Sequence, residues 1–316
     1  MGLTIKIKPL ALFIVSWLTF FSFTPSFAAL PIHIVAIENF YGALANEIGG
    51  PYVQVTSLLN NPNQDPHLFS TNVSTVKAIT NADILIYNGA NYDPWILPLL
   101  ATRTVSHSSI IVIAQLIPIA PRANPHLWYN PIVMPLYATT LTQLLITKDP
   151  LHKDFYQHSL LQFQLRYQTL NARIHIMKQQ YQGSAITATE PVFNEMARAL
   201  GLQMRNEAFQ MEIMNDTEPS PSQIRTFEDD LNQHRVKLLV YNNQVSNPFT
   251  QHIKDIAQQA GIAIVGVSET QPLNEDYINW MLRQLNQIDH ALKNGANTQL
   301  PTTTKVIQEN RKEQVH

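Results

Sequence analysis

The chain has no cysteine. That excludes a disulfide framework, a thiolate metal site and any lipid attached through a thiol, so a metal centre here must be built from imidazole and oxygen donors. Charge is sparse too: 14% of residues are charged and the formal net charge is −2. No Lys/Arg stripe with interleaved aromatics occurs, so a nucleic-acid partner is not expected. Long apolar runs are missing after the first 25 or so residues. The one run near the N-terminus, from about Pro9 to Phe23, follows Lys6 and Lys8 and precedes the small-x-small triplet Ser26-Phe27-Ala28. It is too short to span a bilayer comfortably and has the form of a cleavable secretory signal. The expectation is a signal peptide over 1–28 and an exported protein with no membrane anchor after cleavage, a bacterial periplasm being the natural compartment. The remaining chain, about 290 residues with an apolar content of 45%, is enough for two domains with well-filled cores.

What is present is a repeat. Asp65-Pro66-His67-Leu68-Phe69 and Asn124-Pro125-His126-Leu127-Trp128 nearly copy each other. Each sets one imidazole between a proline of fixed φ and a Leu-aromatic pair that can anchor into a core. Either histidine alone reads as a surface or internally satisfied residue. Two on matching stiffened turns point to half of a four-coordinate metal shell, imidazole being the commonest protein metal ligand.

The pattern around them alternates short apolar strands with helices. Strands are expected at Ile32–Ile37, Val53–Leu59, Asp83–Tyr87 and Ser109–Ala114, with helices at Phe40–Ile48, from Ser70 or Thr71 to Asn81, and at Trp95–Leu100. Repeated β-α-β implies a parallel sheet covered on both faces, and ligands of such sheets bind beyond the carboxyl ends of the strands, where both histidine loops fall. From Pro131 to Gly183 strand signals vanish. Leu151–Gln182 carries apolar residues at helical spacing and predicts one helix roughly 45 Å long, with two ordinary helices the plainer alternative. Then β-α alternation resumes, with strands at Ala185–Thr189, Val236–Tyr241 and Ile262–Val267 and helices at Val192–Leu200, Pro219–His234, Pro248–Ala260 and Glu275–Leu292. The expected division is an N-terminal α/β lobe over 29–130, a helical segment over 131–183, a C-terminal α/β lobe over 184–295 and a flexible tail over 296–316.

Within the second lobe, Glu190 directly follows one strand and Glu269 another, each at a strand-to-helix turn. A lone glutamate there is a solvated charge or a helix-start residue. A pair at equivalent places is a candidate for the other half of the shell. Glu218 is the main competitor for the fourth position and Asp216 the next, Asp216 or Thr217 reading as helix-approach residues. His152, His158, His175, His234 and His252, on or beside helices, are expected to be ordinary solvated or carbonyl-bonded histidines.

The order of these features, with Ala82-Asp83-Ile84-Leu85-Ile86-Tyr87-Asn88-Gly89 between the two Pro-His motifs, resembles the periplasmic substrate-binding proteins of bacterial zinc and manganese ABC importers over about residues 31–293. The resemblance implies two mainly parallel α/β lobes joined by one long rigid helix, with the metal in the interlobe cleft. It implies the ligand set His67, His126, Glu190 and Glu269, of which Glu269 is placed by position rather than by a local motif. It also implies a membrane permease as partner, a monomeric protein, no catalysis, and Mn²⁺ or Zn²⁺ as cargo with Fe²⁺ a lesser alternative. Two departures lean toward the manganese-type arrangement: the 115–124 segment lacks a His-rich acidic loop, and the third ligand position holds Glu190 rather than histidine. A secreted metallohydrolase using the same two His and two Glu is the rival from another class, but no His-Glu-x-x-His motif occurs. A metal buffer or adhesin would share the site.

Overall fold

A computed structural model describes residues 30–63, 65–101, 109–246 and 248–295, together with Gly2. The expected signal peptide and the 296–316 tail lie outside the described residues apart from Gly2. Two four-stranded parallel sheets organise the rest. The first contains β1 (Ile32–Glu38), β2 (Val53–Leu59), β3 (Ile84–Tyr87) and β4 (Ser109–Val112), in the order β2-β1-β3-β4. Its crossovers are α1 (Asn39–Gly49), α2 (Val73–Thr80) and α3 (Ile96–Ala101). Strand β1 shows why the sequence reads as a continuous apolar run: Ile34 and Ala36 enter one core layer while Val35 and Ile37 enter the layer on the opposite face.

Two helices follow. α4 (Val133–Lys148) packs on α1, and α5 (Lys153–Tyr181) is a single helix of 29 residues, about 43 Å long. The sequence predicted α5 to within about two residues of its ends. The second sheet contains β5 (Ala185–Ala188), β6 (Gln203–Arg205), β7 (Leu238–Asn242) and β8 (Ala263–Val267), in the order β6-β5-β7-β8. It is covered by α6 (Asn194–Ala199), α7 (Glu207–Met214), α8 (Pro221–Asn232), α9 (Pro248–Gln259) and α10 (Tyr277–Asn294). Three residues of β6, half-buried or exposed and including Gln203 and Arg205, form an edge strand too short and polar for an apolar-run criterion, so β6 and α7 were not expected. α2 begins later than expected, because Asn72 rather than Ser70 or Thr71 caps it through Oδ1 to the Thr75 N–H at 3.0 Å.

Both sheets reverse their winding between the first and third strands, β1/β3 and β5/β7, which opens a crevice at the carboxyl ends of each. Aromatic packing brings the two crevices together. Phe40 of α1 stacks against Trp128 (4.8 Å between centroids) and Trp280 of α10 (5.8 Å), and Tyr129 lies against Phe193 (5.7 Å) and Trp280 (6.1 Å). Hydrogen bonds fix the seam: Tyr277 Oη donates to the Trp128 carbonyl at 2.5 Å, and Asn39 and Gln271 exchange a reciprocal pair at 2.8 and 3.1 Å. One buried apolar cluster therefore runs through both sheets, so the lobes are held by their own interface as well as by α5.

Candidate metal centre

Four strand ends deliver the site. Past β2, Asp65 accepts the His67 N–H at 2.8 Å and Pro66 opens a single 3-10 turn, so the imidazole is presented on a locked loop. Past β4, the second Pro-His loop buries His126 completely. Asn124 Oδ1 accepts from the His126 backbone N–H at 3.1 Å and lies 2.7 Å from Nδ1, while Asn124 Nδ2 donates to the Pro191 carbonyl of the other lobe at 2.7 Å. With Nδ1 engaged by an acceptor, Nε2 is the atom left for a metal.

From the second lobe, Glu269 follows β8 by two residues and is 1% exposed. Its Oε2 lies 3.2 Å from His126 Nε2 and 3.5 Å from His67 Nε2, and it accepts from Tyr92 Oη at 2.8 Å. Its Oε1 accepts from Asn242 Nδ2 at 2.6 Å, and its backbone N–H donates to Gln244 Oε1 at 2.5 Å. Each of His67, His126 and Glu269 offers a ligand atom within 4.8 Å of the other two. Burial opposes charge on both His67 and Glu269, and their pairing overturns it: the hydrogen bond and charge of Glu269 hold His67 up to about 9, and the two imidazoles hold Glu269 below the usual carboxylate range. The buried Glu269 carboxylate stays ionised because two imidazoles face it.

Glu190 does not join that trio. It is buried two residues past β5, and its Oε2 accepts from the same Asn242 amide at 2.9 Å, so one side chain tethers both glutamates. Burial first, then the nearby charges of Glu269 and Asp65, push it up to about 7 against the Asn242 hydrogen bond. The competitors stand apart. Glu218 is exposed at the rim of a surface recess with Pro219 and Arg225, and Asp216 sits at φ 53° on the wall of a cleft of about 1100 Å³ that His67, Tyr92 and Trp95 also line. His152 pairs with Asp149 at 2.5 Å and His252 with Glu228 at 3.5 Å, remote from the trio.

Tyr92, Asn124, Asn242 and Gln244 escaped the sequence reading. Asn124 stood inside a motif already noticed, and Asn242 closes a strand at the ligand-binding edge. Neither has a residue type that announces a metal site; what the structure shows of them is hydrogen bonding to His126 and to the two glutamates.

Two parallel-sheet lobes joined by a long helix, with two imidazoles and a buried carboxylate converging between them, form a two-lobed protein with a candidate metal site. The chain belongs to the family of periplasmic zinc-uptake complex component A (ZnuA), whose sequence profile matches residues 34–291. Among curated relatives, the metal ABC transporter substrate-binding lipoprotein FimA of Streptococcus parasanguinis is 24% identical over 83% of this chain and 89% of its own length. The manganese ABC transporter substrate-binding lipoprotein PsaA of Streptococcus anginosus is 23% identical over the same shares. Among solved structures, the periplasmic zinc-binding protein TroA of Treponema pallidum aligns with a TM-score of 0.71 at 16% identity, covering 83% of this chain and 99% of that one. The binding protein FpvC of Pseudomonas aeruginosa in complex with Mn²⁺ aligns with 0.70 at 18%, covering 83% and 98%.

Proposed function

We propose that this protein captures a divalent metal ion outside the cytoplasm and hands it to the permease of an ABC importer. The observation that carries the reading is the convergence of His67 and His126 Nε2 on one buried oxygen of Glu269, at 3.5 and 3.2 Å. A cation placed among these atoms replaces the charge pairing that now holds them. Glu190 is the fourth donor of this reading. It is already tied to the Glu269 carboxylate through Asn242, and release of one hydrogen bond frees its oxygens.

Two nitrogens and up to four carboxylate oxygens suit Mn²⁺, which accepts six ligands, while Zn²⁺ binds the same donors more tightly in vitro by the Irving–Williams order. Both ions are therefore expected to bind, with availability deciding the cargo. The relatives named above are lipoproteins, whereas these 316 residues offer no thiol for lipid attachment. Among the described residues no helix is long and apolar enough to cross a membrane. Export by a signal peptide over 1–28 and a monomeric periplasmic carrier belong to the same proposal.

The test is equilibrium binding to chelator-stripped protein with Zn²⁺, Mn²⁺ and Fe²⁺ in turn. One ion per chain, bound far more weakly when His126 is substituted, is expected. A protein that binds none of the three overturns the reading.

A further inference from the structure

Glu38 is a buried carboxyl with no cation beside it. It ends β1 and occupies the N-cap position of α1, yet its side chain makes no cap bond, is 1% exposed, and neither oxygen meets a hydrogen-bond donor. Facing it is the carboxyl of Asp93, 2% exposed. The other titratable groups around Glu38 are the buried hydroxyls of Tyr41, Tyr92 and Tyr137, and no ion pair to Glu38 or Asp93 forms among the described residues.

Asp93 already holds a turn. Its Oδ2 accepts from the Asn88 N–H at 2.8 Å and its Oδ1 from the Gly89 N–H at 2.9 Å. Between them the backbone passes through three consecutive left-handed residues, Gly89 (φ 73°), Ala90 (φ 52°) and Asn91 (φ 65°), two of which carry a Cβ. Such a turn persists when surrounding contacts over-determine it. Two arms leave it for the metal centre. Asn88, whose Oδ1 accepts from Tyr41 Oη at 2.8 Å, donates through Nδ2 at 2.8 Å to the carbonyl of Pro125, the residue before His126. Tyr92, the residue before Asp93, donates to Glu269 Oε2 at 2.8 Å.

We propose that Glu38 is a positioning residue of the metal centre, acting through Asp93 on the 88–93 turn to set both the His126 loop and the Tyr92–Glu269 contact. The inference rests on the metal-capture reading of the site. Two carboxylates cannot both stay charged side by side in an apolar interior, so the pair holds one proton. Glu38 is its seat, because both oxygens of Asp93 accept backbone N–H groups at 2.8 and 2.9 Å while neither Glu38 oxygen completes a hydrogen bond. As a neutral acid, Glu38 donates to Asp93 and caps the turn. This explains how a strained loop with no metal ligand of its own can decide where two of the three converging donors sit.

Glu38→Gln keeps a neutral donor toward Asp93, and Glu38→Leu removes it at similar volume. For Zn²⁺ binding to folded, chelator-stripped protein, Glu38→Gln is expected to stay near the wild-type Kd. Glu38→Leu is expected to weaken binding about 10- to 100-fold, the range for residues that orient metal ligands. The wild-type-minus-Glu38→Gln infrared difference spectrum at neutral pH should show a protonated-carboxyl C=O band from Glu38, with the Glu190 contribution cancelled, a measurement that stands even if Glu38→Leu does not fold. Wild-type affinity in Glu38→Leu, a Gln variant as weak as the Leu variant, or absence of that band each overturns the proposal. Failure of the wild type to bind Zn²⁺ would instead strike the metal-capture reading, leaving the infrared arm to judge the acid pair.

Discussion

At the scale of single residues, the proposed metal centre divides labour between candidate donors and the amides hydrogen-bonded to them. His126→Ala removes a fully buried donor and is expected to weaken Zn²⁺ or Mn²⁺ binding by more than about 100-fold, beyond the usual cost of losing an orienting partner. His158→Ala, on the surface of α5, should change nothing measurable. Equal losses from both would move the site elsewhere. Asn124→Ala leaves every proposed donor in place but frees the His126 ring and cuts the bond to Pro191, so an intermediate loss of about 10- to 100-fold is expected in the same titration. Glu190→His exchanges oxygen for nitrogen and should raise the Zn²⁺-to-Mn²⁺ affinity ratio. An unchanged ratio in competition titrations would take Glu190 out of the ligand set.

At the scale of elements, the last helix is pinned to the long one through an acid. Asp289 on α10 meets Arg173 of α5 at 2.9 Å, Lys293 at 2.8 Å and Tyr181 Oη at 2.6 Å. Burial opposes its charge, but the Lys293, Tyr181 and Arg173 contacts bring it down to about 2. Since the unfolded chain protonates this group near pH 4, its stabilising effect is complete above about pH 4 and fades as pH falls toward 2. Asp289→Asn should therefore cost on the order of 2 kcal/mol at pH 7 and progressively less below pH 4, as read by urea unfolding across that range. A penalty independent of pH would mean that the carboxylate charge is not what ties α10 to α5.

For the whole molecule, an aromatic seam joins the lobes alongside the helix that bridges them. Phe40, Trp128 and Trp280 place both lobes in one apolar cluster, so a single cooperative transition is expected in calorimetry of the metal-free protein. Two resolved transitions would show that the lobes fold separately. Metal that binds only the folded state should raise that transition, by about 4 kcal/mol at a thousandfold excess over Kd.

The amino-acid sequence by itself determined the two β-α lobes, the single long helix, both histidines and the glutamate positions after strands. The reason is local. Buried parallel strands must be apolar runs, a long helix must repeat its buried face, and a histidine on a stiff turn advertises itself through the proline beside it. Tertiary structure alone decided which donors meet. Glu269 is 202 positions from His67 in the chain by number (269 less 67), and nothing near either shows that the two crevices would be closed face to face by Phe40, Trp128 and Trp280. Glu190 and Glu269 occupy equivalent strand ends and share the Asn242 amide, yet only Glu269 also takes the Tyr92 hydroxyl of the first lobe and meets both imidazoles. The short edge strand Gln203–Arg205 stayed hidden for a related reason: its pairing with β5, rather than any apolar pattern of its own, makes it a strand.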